Sequence, residues 1–234
     1  MPRKKTQLKT QTQFKEALSY LKESQKYIYA AIIIFVLGGI FGFIFWEHLT
    51  FLNKIIAEII LKTQNFTGPE LIFFILQNNL LSSLLSILLG LFFGIFPIFN
   101  AIANGTILGY VSALVSESQG LPVLWRLLPH GIFELPAIFI SIALGIKLGF
   151  TLLIPYVKHY WKKNKFLGVA MFAVLVAFPL VALILISLNQ ELAKKISGKF
   201  KYSFYNSVNA FLLIVVPLLI IAAIIEGSLI ALLE

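Results

Sequence analysis

Neither cysteine nor aspartate occurs anywhere in this sequence. Without cysteine the chain can form no disulfide bridge, thiolate zinc site, iron–sulfur cluster or cysteine nucleophile. All ten acidic residues are glutamates, no two of them are spaced as an acid–base pair, and neither a Gly-x-Ser-x-Gly nor a Walker motif is present. We therefore expect no catalytic residue, no metal site and no cofactor.

Charge of either sign is also scarce. Charged residues make up 12% of the chain, against about 25% in soluble domains. Hydrophobic residues make up 59%, and the mean hydropathy is +0.92. A soluble fold of 234 residues could not bury that much apolar surface, so the sequence predicts an all-α, polytopic transmembrane helical bundle.

Apolar runs of about 20 residues predict the membrane-crossing helices. Tyr27 and Trp46 flank the first run, as aromatic residues do at the two membrane interfaces. Pro97 is expected to end or kink the second span, which follows a short helix at 69–78. The six predicted spans are about 28–46, 79–97, 98–117, 130–150, 166–188 and 207–232.

A further amphipathic helix is predicted at about 49–62, between the first two spans. Its large apolar residues recur with helical period, and its polar residues lie on the other side, which is typical of a helix lying flat in the membrane interface. Thr67 and Glu70 have the spacing of a capping box at the start of the next helix.

The bases lie in short segments beside the apolar runs, which indicates contact with anionic lipid headgroups and not with nucleic acid. Residues 1–27 form a basic segment with a short amphipathic helix, ahead of one transmembrane domain at 28–234. This segment carries seven of the 19 bases, and 147–165 carries five more. The asymmetry predicts a cytoplasmic N-terminus and, with six spans, a cytoplasmic C-terminus as well.

One segment conflicts with this topology. Residues 189–206 carry four bases but would lie outside in a six-span chain. A re-entrant 166–188 would place both basic segments inside, but 23 apolar residues favour a full span.

Glycine recurs at four-residue spacing more often than chance predicts. Such pairs put two glycines on one helix face, where a neighbouring backbone can approach closely. We expect these contacts within one chain, although a homo-oligomer is also conceivable. The predicted packing glycines are Gly38, Gly42, Gly90, Gly94, Gly105, Gly109, Gly145 and Gly149.

Polar residues inside apolar runs are costly and need partners. They predict one of three roles: interhelical hydrogen bonds that fix the bundle, a proton or solute path, or a lipid or partner site. We expect His130 and Glu134, one turn apart, to pair with each other or with the third-span asparagines, and Glu226 to pair with Lys147. The full set is Asn79, Asn100, Asn104, His130, Glu134, Lys147 and Glu226.

The run Pro129-His-Gly-Ile-Phe-Glu-Leu-Pro136 followed by Leu144-Gly-Ile-Lys-Leu-Gly149 resembles the signature of the stage II sporulation protein M family. Gln77-Asn-Asn79, Gly90-Leu-Phe-Phe-Gly-Ile95 with Asn104-Gly105, and Ala222-Ala-Ile-Ile-Glu-Gly227 extend the resemblance over about 28–234.

This resemblance implies a multi-pass protein of the cell membrane of a bacterium or archaeon. It implies a non-enzymatic scaffold or assembly factor for envelope remodelling, working with other membrane or envelope proteins. The alternative is a permease-like transporter of a small solute, proton-coupled substrate or lipid, which should show repeats and a polar midplane cavity. The repetition of Leu89–Gly94 in Leu144–Gly149 is weak.

Overall fold

The computed structural model describes residues 2–122, 128–177, 184 and 190–233. These ranges are almost entirely helical and contain no strand. Their α-helices are α1 (Pro2–Glu23), α2 (Gln25–Ile44), α3 (Leu52–Thr63), α4 (Gly68–Leu88), α5 (Ile95–Gln119), α6 (Leu128–Lys163), α7 (Lys165–Ala177), α8 (Gln190–Ala210) and α9 (Val216–Leu233).

Five helical stretches of the described chain are long and apolar enough to cross a membrane. They are Gln25–Ile44, Gly68–Leu91, Ile95–Gln119, Gly131–Lys163 and Ile196–Ser228. The prediction of an all-α polytopic bundle is thereby confirmed. The predicted span at 166–188 lies partly outside the described residues.

Helices α2 and α5 run parallel and form the most extensive helix contact of the described chain. A methyl group built on Gly38 would come within 2.7 Å of the Ile102 carbonyl oxygen, and one on Gly105 would overlap the carbonyl oxygen of Phe35. In each contact a glycine of one helix faces a carbonyl oxygen of the other helix. Exchanging the two helices therefore converts the first contact into the second. The α2–α5 pair is therefore locally two-fold.

A tight turn reverses the chain between α4 and α5. A 3-10 segment, Leu89–Leu91, is followed by Phe93 and Gly94 with φ angles of 55° and 79°. Glycine adopts this left-handed conformation freely, whereas Phe93 is strained there. Phe93 is buried, and Gly149 of α6 lies directly against the turn, so packing against α6 holds the strained backbone in place.

The chain from α8 to α9 is helical throughout and runs antiparallel to α6. Ile196 belongs to one buried cluster with Tyr156, and Leu219 belongs to another with Ala137. Helix α6 and the stretch from α8 to α9 therefore pack side by side over most of their length.

A π-helical turn, Phe211–Val215, joins α8 to α9. Pro217 follows it and has no N–H to donate to the carbonyl group of Leu213. A wider π turn at this point accommodates the missing hydrogen bond.

One end of the bundle, here called the basic end, joins the α1–α2 junction, the C-terminal half of α6 and α8. The Tyr20 hydroxyl donates to the Ser203 carbonyl oxygen at 3.1 Å, and the Thr151 and Ser203 hydroxyls lie 3.4 Å apart. These contacts use residues from three segments of the sequence, 1–27, 147–165 and 189–206, which together carry 16 of the 19 bases.

The expectation that 189–206 lies at the opposite end from the N-terminal segment is wrong. The Tyr20–Ser203 hydrogen bond places α8 beside α1. The conflict between this basic segment and the charge asymmetry disappears with it.

The predicted bounds of the second span are also wrong. Helix α4 runs without interruption from Gly68 to Leu88, where the sequence predicted a short helix at 69–78 and a span at 79–97. The chain turns before Pro97, which lies in the first turn of α5. Proline is favoured in that turn because its missing N–H would have no partner within the helix.

The ends of the chain differ from the prediction as well. Gly227 of α9 packs against Ile72 near the start of α4, at the end of the bundle away from the basic end. The first turn of α2 and Gly227 of α9 therefore lie at opposite ends of the bundle, which contradicts the six-span prediction that places the two ends of the transmembrane domain on one side.

Helix α3 occupies the position of the predicted amphipathic helix. It is 12 residues long, too short to cross a bilayer. Ile55 and Ile59 are exposed, and the Tyr110 hydroxyl donates to the Asn53 side chain at 2.7 Å, which ties α3 to α5. The capping box that opens α4 is confirmed, since the Thr67 N–H donates to the Glu70 carboxylate at 2.8 Å.

Candidate functional site: two polar clusters and two glycine contacts

Four polar side chains of α4 and α5 form a serine–asparagine cluster, made of Ser82, Ser86, Asn100 and Asn104. The Asn100 amide donates to the Ser86 hydroxyl at 2.6 Å and to the Ser82 hydroxyl at 3.2 Å. The Asn104 amide donates to the Asn100 carbonyl oxygen at 2.9 Å and also bonds its side-chain oxygen. Each asparagine thus has partners within the bundle.

The turn between α4 and α5 sets the register of this cluster. Ser86 and Asn100 lie at nearly equal distances along the chain from Phe93, so antiparallel packing brings them to the same level. Ser82 and Asn104 lie one helical turn further from the bend. Sequence reasoning found the asparagines but missed the serines, whose four-residue spacing is their only signal.

The Lys147 cluster consists of Lys147, Tyr20, Glu23 and Ser24. The Lys147 ammonium group donates to the Ser24 hydroxyl at 2.9 Å and lies 3.7 Å from a Glu23 carboxylate oxygen. It also lies 3.5 Å from the centre of the Tyr20 ring, which is cation–π geometry. The side chain of Lys147 is 12% exposed and that of Glu23 is 50% exposed.

The α1–α2 junction supplies three of the four members of this cluster. The Ser24 hydroxyl donates to the Tyr20 carbonyl oxygen at 2.7 Å, and the Tyr202 hydroxyl donates to Glu23 at 3.2 Å. Burial raises the pKa of Tyr20, more strongly than its hydrogen bonds to Ser207 and Ser203 lower it. Tyr20 therefore stays protonated and keeps its donor role at neutral pH.

The predicted ion pair between Lys147 and Glu226 is wrong. Lys147 pairs with Glu23, because α1 folds back onto α6 and α8 near the basic end. Glu226 precedes Gly227, which contacts Ile72 at the other end of the bundle. No sequence periodicity reports a contact between residues so far apart in the chain.

The remaining predicted polar residues lie outside both clusters. Asn79 is partly buried on α4. Glu134 is partly buried on α6 and has an interaction partner. The His130 side chain lies outside the described residues, so its pairing with Glu134 stays a prediction. The third-span asparagines were also expected as partners of that pair. Asn100 bonds instead to Ser82 and Ser86.

The eight predicted packing glycines lie at two close helix contacts. Gly38, Gly42, Gly105 and Gly109 form the α2–α5 contact. At the second contact a methyl group on Gly90 would overlap the backbone of Gly145. The other members of this second contact are Gly94 in the turn and Gly149 on α6.

These features define a polytopic helical membrane protein in which glycine contacts and hydrogen bonds between helices hold the spans together. The chain belongs to the stage II sporulation protein M family, whose model matches residues 31–229. It is also 31% identical over 123 residues to an uncharacterized protein of Methanocaldococcus jannaschii. The aligned region covers 52% of this chain and 67% of that protein. No solved structure matches the chain.

Proposed function

We propose that this protein is a non-enzymatic membrane scaffold or assembly factor that organises other proteins of the cell envelope. The observation that carries the proposal is the use of its intramembrane polar groups. Asn100 and Lys147 bond to side chains of neighbouring elements, and Asn104 bonds to Asn100 on its own helix, so these polar groups are used in contacts within the bundle.

The glycine contacts support the same function. At the α2–α5 contact, methyl groups on Gly42 and Gly109 would overlap backbone atoms of the opposing helix. Backbones packed this closely cannot slide or separate without losing the contact. A bundle of this kind suits a rigid platform better than a gate that alternates between two forms.

In the proposed orientation, the basic end lies on the cytoplasmic side of the cell membrane. The three segments that meet at the basic end together carry 16 of the 19 bases. Positively charged segments stay on the cytoplasmic side during insertion and meet anionic lipids there. In this orientation α3 lies at the outer interface.

A permease-like transporter is the second candidate, and two observations favour it. The α2–α5 contact is locally two-fold. In addition, Ser86-Ile-Leu-Leu-Gly90 resembles Ser141-Ile-Ala-Leu-Gly145, and both are followed by glycine four residues later. Parallel repeats of this type occur in secondary transporters.

Crosslinking and reconstitution together separate the two candidates. A photo-crosslinking amino acid is placed at Glu58 on α3 or Lys194 on α8, both exposed, and at the exposed Ile33 on α2 as a lipid-facing control. A scaffold gives one discrete protein adduct at Glu58 or Lys194 and none at Ile33. The purified protein should then produce no solute-dependent current in proteoliposomes.

The contrary result is equally clear. Solute-dependent current, together with only lipid adducts at Glu58 and Lys194, would reject the scaffold and establish the transporter.

A further inference from the structure

A cleft of about 450 Å³ opens at the basic end between the first turn of α2, α6 and α8. Tyr27 and Phe150 form one wall, where their rings meet edge to face with centroids 6.0 Å apart. Lys199 and Ser203 of α8 form the facing wall, and Thr151 lies between them.

This cleft lies at the level of the membrane boundary. Helix α2 has 20 residues, or about 30 Å, which is about the thickness of the hydrocarbon core. Its first turn, which contains Tyr27, must therefore lie at the boundary itself. A group bound in the cleft would have its polar part at the surface and its apolar part toward the hydrocarbon.

The lining has the same division. Lys199 provides a positive charge, and the Ser203 hydroxyl group provides a hydrogen-bond donor beside it. Phe150 and Ile154 provide an apolar surface beside them. The Thr151 hydroxyl donates to the Lys147 carbonyl oxygen at 2.8 Å, and its contact with the Ser203 hydroxyl is long, at 3.4 Å, so the Ser203 hydroxyl can donate to a third group.

Two acidic groups of the described residues approach the cleft through Tyr202: Glu16, whose charge acts on that side chain, and Glu23, which accepts its hydrogen bond. The charge of Glu23 is already opposed by Lys147 at 3.7 Å. Lys26 lies over the Tyr27 ring at 4.9 Å and adds a second positive charge at the rim. The balance of charge therefore favours an anion.

Gly198 keeps one wall of the cleft open. Glycine destabilises a helix interior relative to alanine. At the eight packing positions, close backbone contact accounts for the glycine. A methyl group on Gly198 would meet nothing within 4 Å. Gly198 thus leaves space in the wall of the cleft that no part of the described chain occupies.

We propose that this cleft binds an anionic phospholipid, with its phosphate group between Lys199 and the Ser203 hydroxyl group and with an acyl chain along Phe150 and Ile154. A lipid fits better than a soluble phosphate because one wall is apolar and faces the membrane. The site is independent of whether the protein acts as a scaffold or as a transporter.

The test is thermal unfolding of the full chain in detergent, with phosphatidylglycerol or phosphatidylcholine added. Saturating phosphatidylglycerol should raise the Tm of the parent protein by about 5 °C, and phosphatidylcholine should raise it by less than half as much. Two variants test the site: Lys199→Gln removes the charge, and Gly198→Leu fills the space without changing charge. Lys194→Gln, an exposed lysine on the same helix, is the matched control.

Both test variants should lose at least half of the phosphatidylglycerol response, while Lys194→Gln keeps it. Gly198→Leu should melt at or above the parent without lipid, which shows that it folds. The proposal fails if both variants respond like the parent or if the two lipids act equally. A full response to millimolar inorganic phosphate alone would also overturn it.

Discussion

The ammonium group of Lys147 lies 3.5 Å from the centre of the Tyr20 ring, which joins the N-terminal helix to the middle of the longest helix of the described chain. Because Tyr20 also donates to the Ser203 carbonyl oxygen, one aromatic side chain connects α1, α6 and α8. Glu23 neutralises the same lysine from the solvent side. The basic end is therefore closed by a contact that depends on the position of α1.

Substitutions at Tyr20 should separate the contribution of the ring from that of the hydroxyl group. Tyr20→Leu removes the cation–π contact and both hydrogen bonds, at a cost of about 2–3 kcal/mol. Tyr20→Phe keeps the ring and should cost about 1 kcal/mol. Glu23→Gln should cost less than about 1 kcal/mol, because Glu23 is half exposed and solvent screens its charge.

Thermal unfolding in detergent measures this order. If Glu23→Gln lowered the Tm more than Tyr20→Leu, the ion pair and not the aromatic ring would be the main support of Lys147.

Single cysteines test the placement of the two basic segments, since the natural chain has none. We expect cysteines at Lys15, Lys162 and Lys194 to resist an impermeant thiol reagent in intact cells. A cysteine at Glu47, in the 3-10 segment after α2, should be labelled. All four side chains are exposed, so burial does not confuse the result.

The informative comparison is between Lys162 and Lys194. Labelling of Lys194→Cys while Lys162→Cys stays protected would mean that the chain crosses the membrane between residues 162 and 194.

Hydrophobic run length was enough to predict the all-α membrane fold, and glycine spacing pointed to the residues at the closest helix contacts. The partner of Lys147 was not predictable in this way, because Ser24 lies 123 positions away in the chain. The predicted bounds of the second span were wrong because Pro97 was taken as the end of a helix. A proline signals either the end of one helix or the first turn of the next, and only the left-handed turn at Gly94 distinguishes the two.

The side of 189–206 could not be settled by counting either. Run length favoured a full span at 166–188, whereas charge favoured a common side for the flanking lysines. The hydrogen bond between Tyr20 and Ser203 places α8 beside the N-terminal helix, as the charge asymmetry indicated. Charge was the better guide because orientation follows the bases near the membrane ends.

Two buried serines on α4 provide a matched test of the serine–asparagine cluster. Ser86 accepts a hydrogen bond from Asn100 at 2.6 Å, whereas the hydroxyl oxygen of Ser83 has no partner among the described residues. Ser86→Ala should therefore cost about 0.5–1.5 kcal/mol. Ser83→Ala should be neutral or stabilising, because it removes an unpaired buried polar atom.

Unfolding midpoints of the two variants and of Asn100→Leu provide the measurement. Equal losses for Ser83→Ala and Ser86→Ala would show that both effects come from packing and not from the hydrogen bond.

The last prediction contrasts two kinds of helix glycine. A methyl group on Gly109 would overlap the carbonyl oxygen of Gly39 on α2, whereas one on Gly198 would meet open space. Gly109→Ala must therefore push α2 away from α5, at a cost of about 1–3 kcal/mol. Gly198→Ala should stabilise its helix by about 0.5–1 kcal/mol, because alanine loses less conformational freedom on folding. The double variant Gly42→Ala/Gly109→Ala should cost less than the sum of its single variants, since one displacement of α2 relieves both overlaps. Unfolding midpoints in detergent give the signs directly. A Gly109→Ala variant that melts like the parent would mean that α2 and α5 are not held at backbone contact, and the argument for a rigid bundle would fail with it.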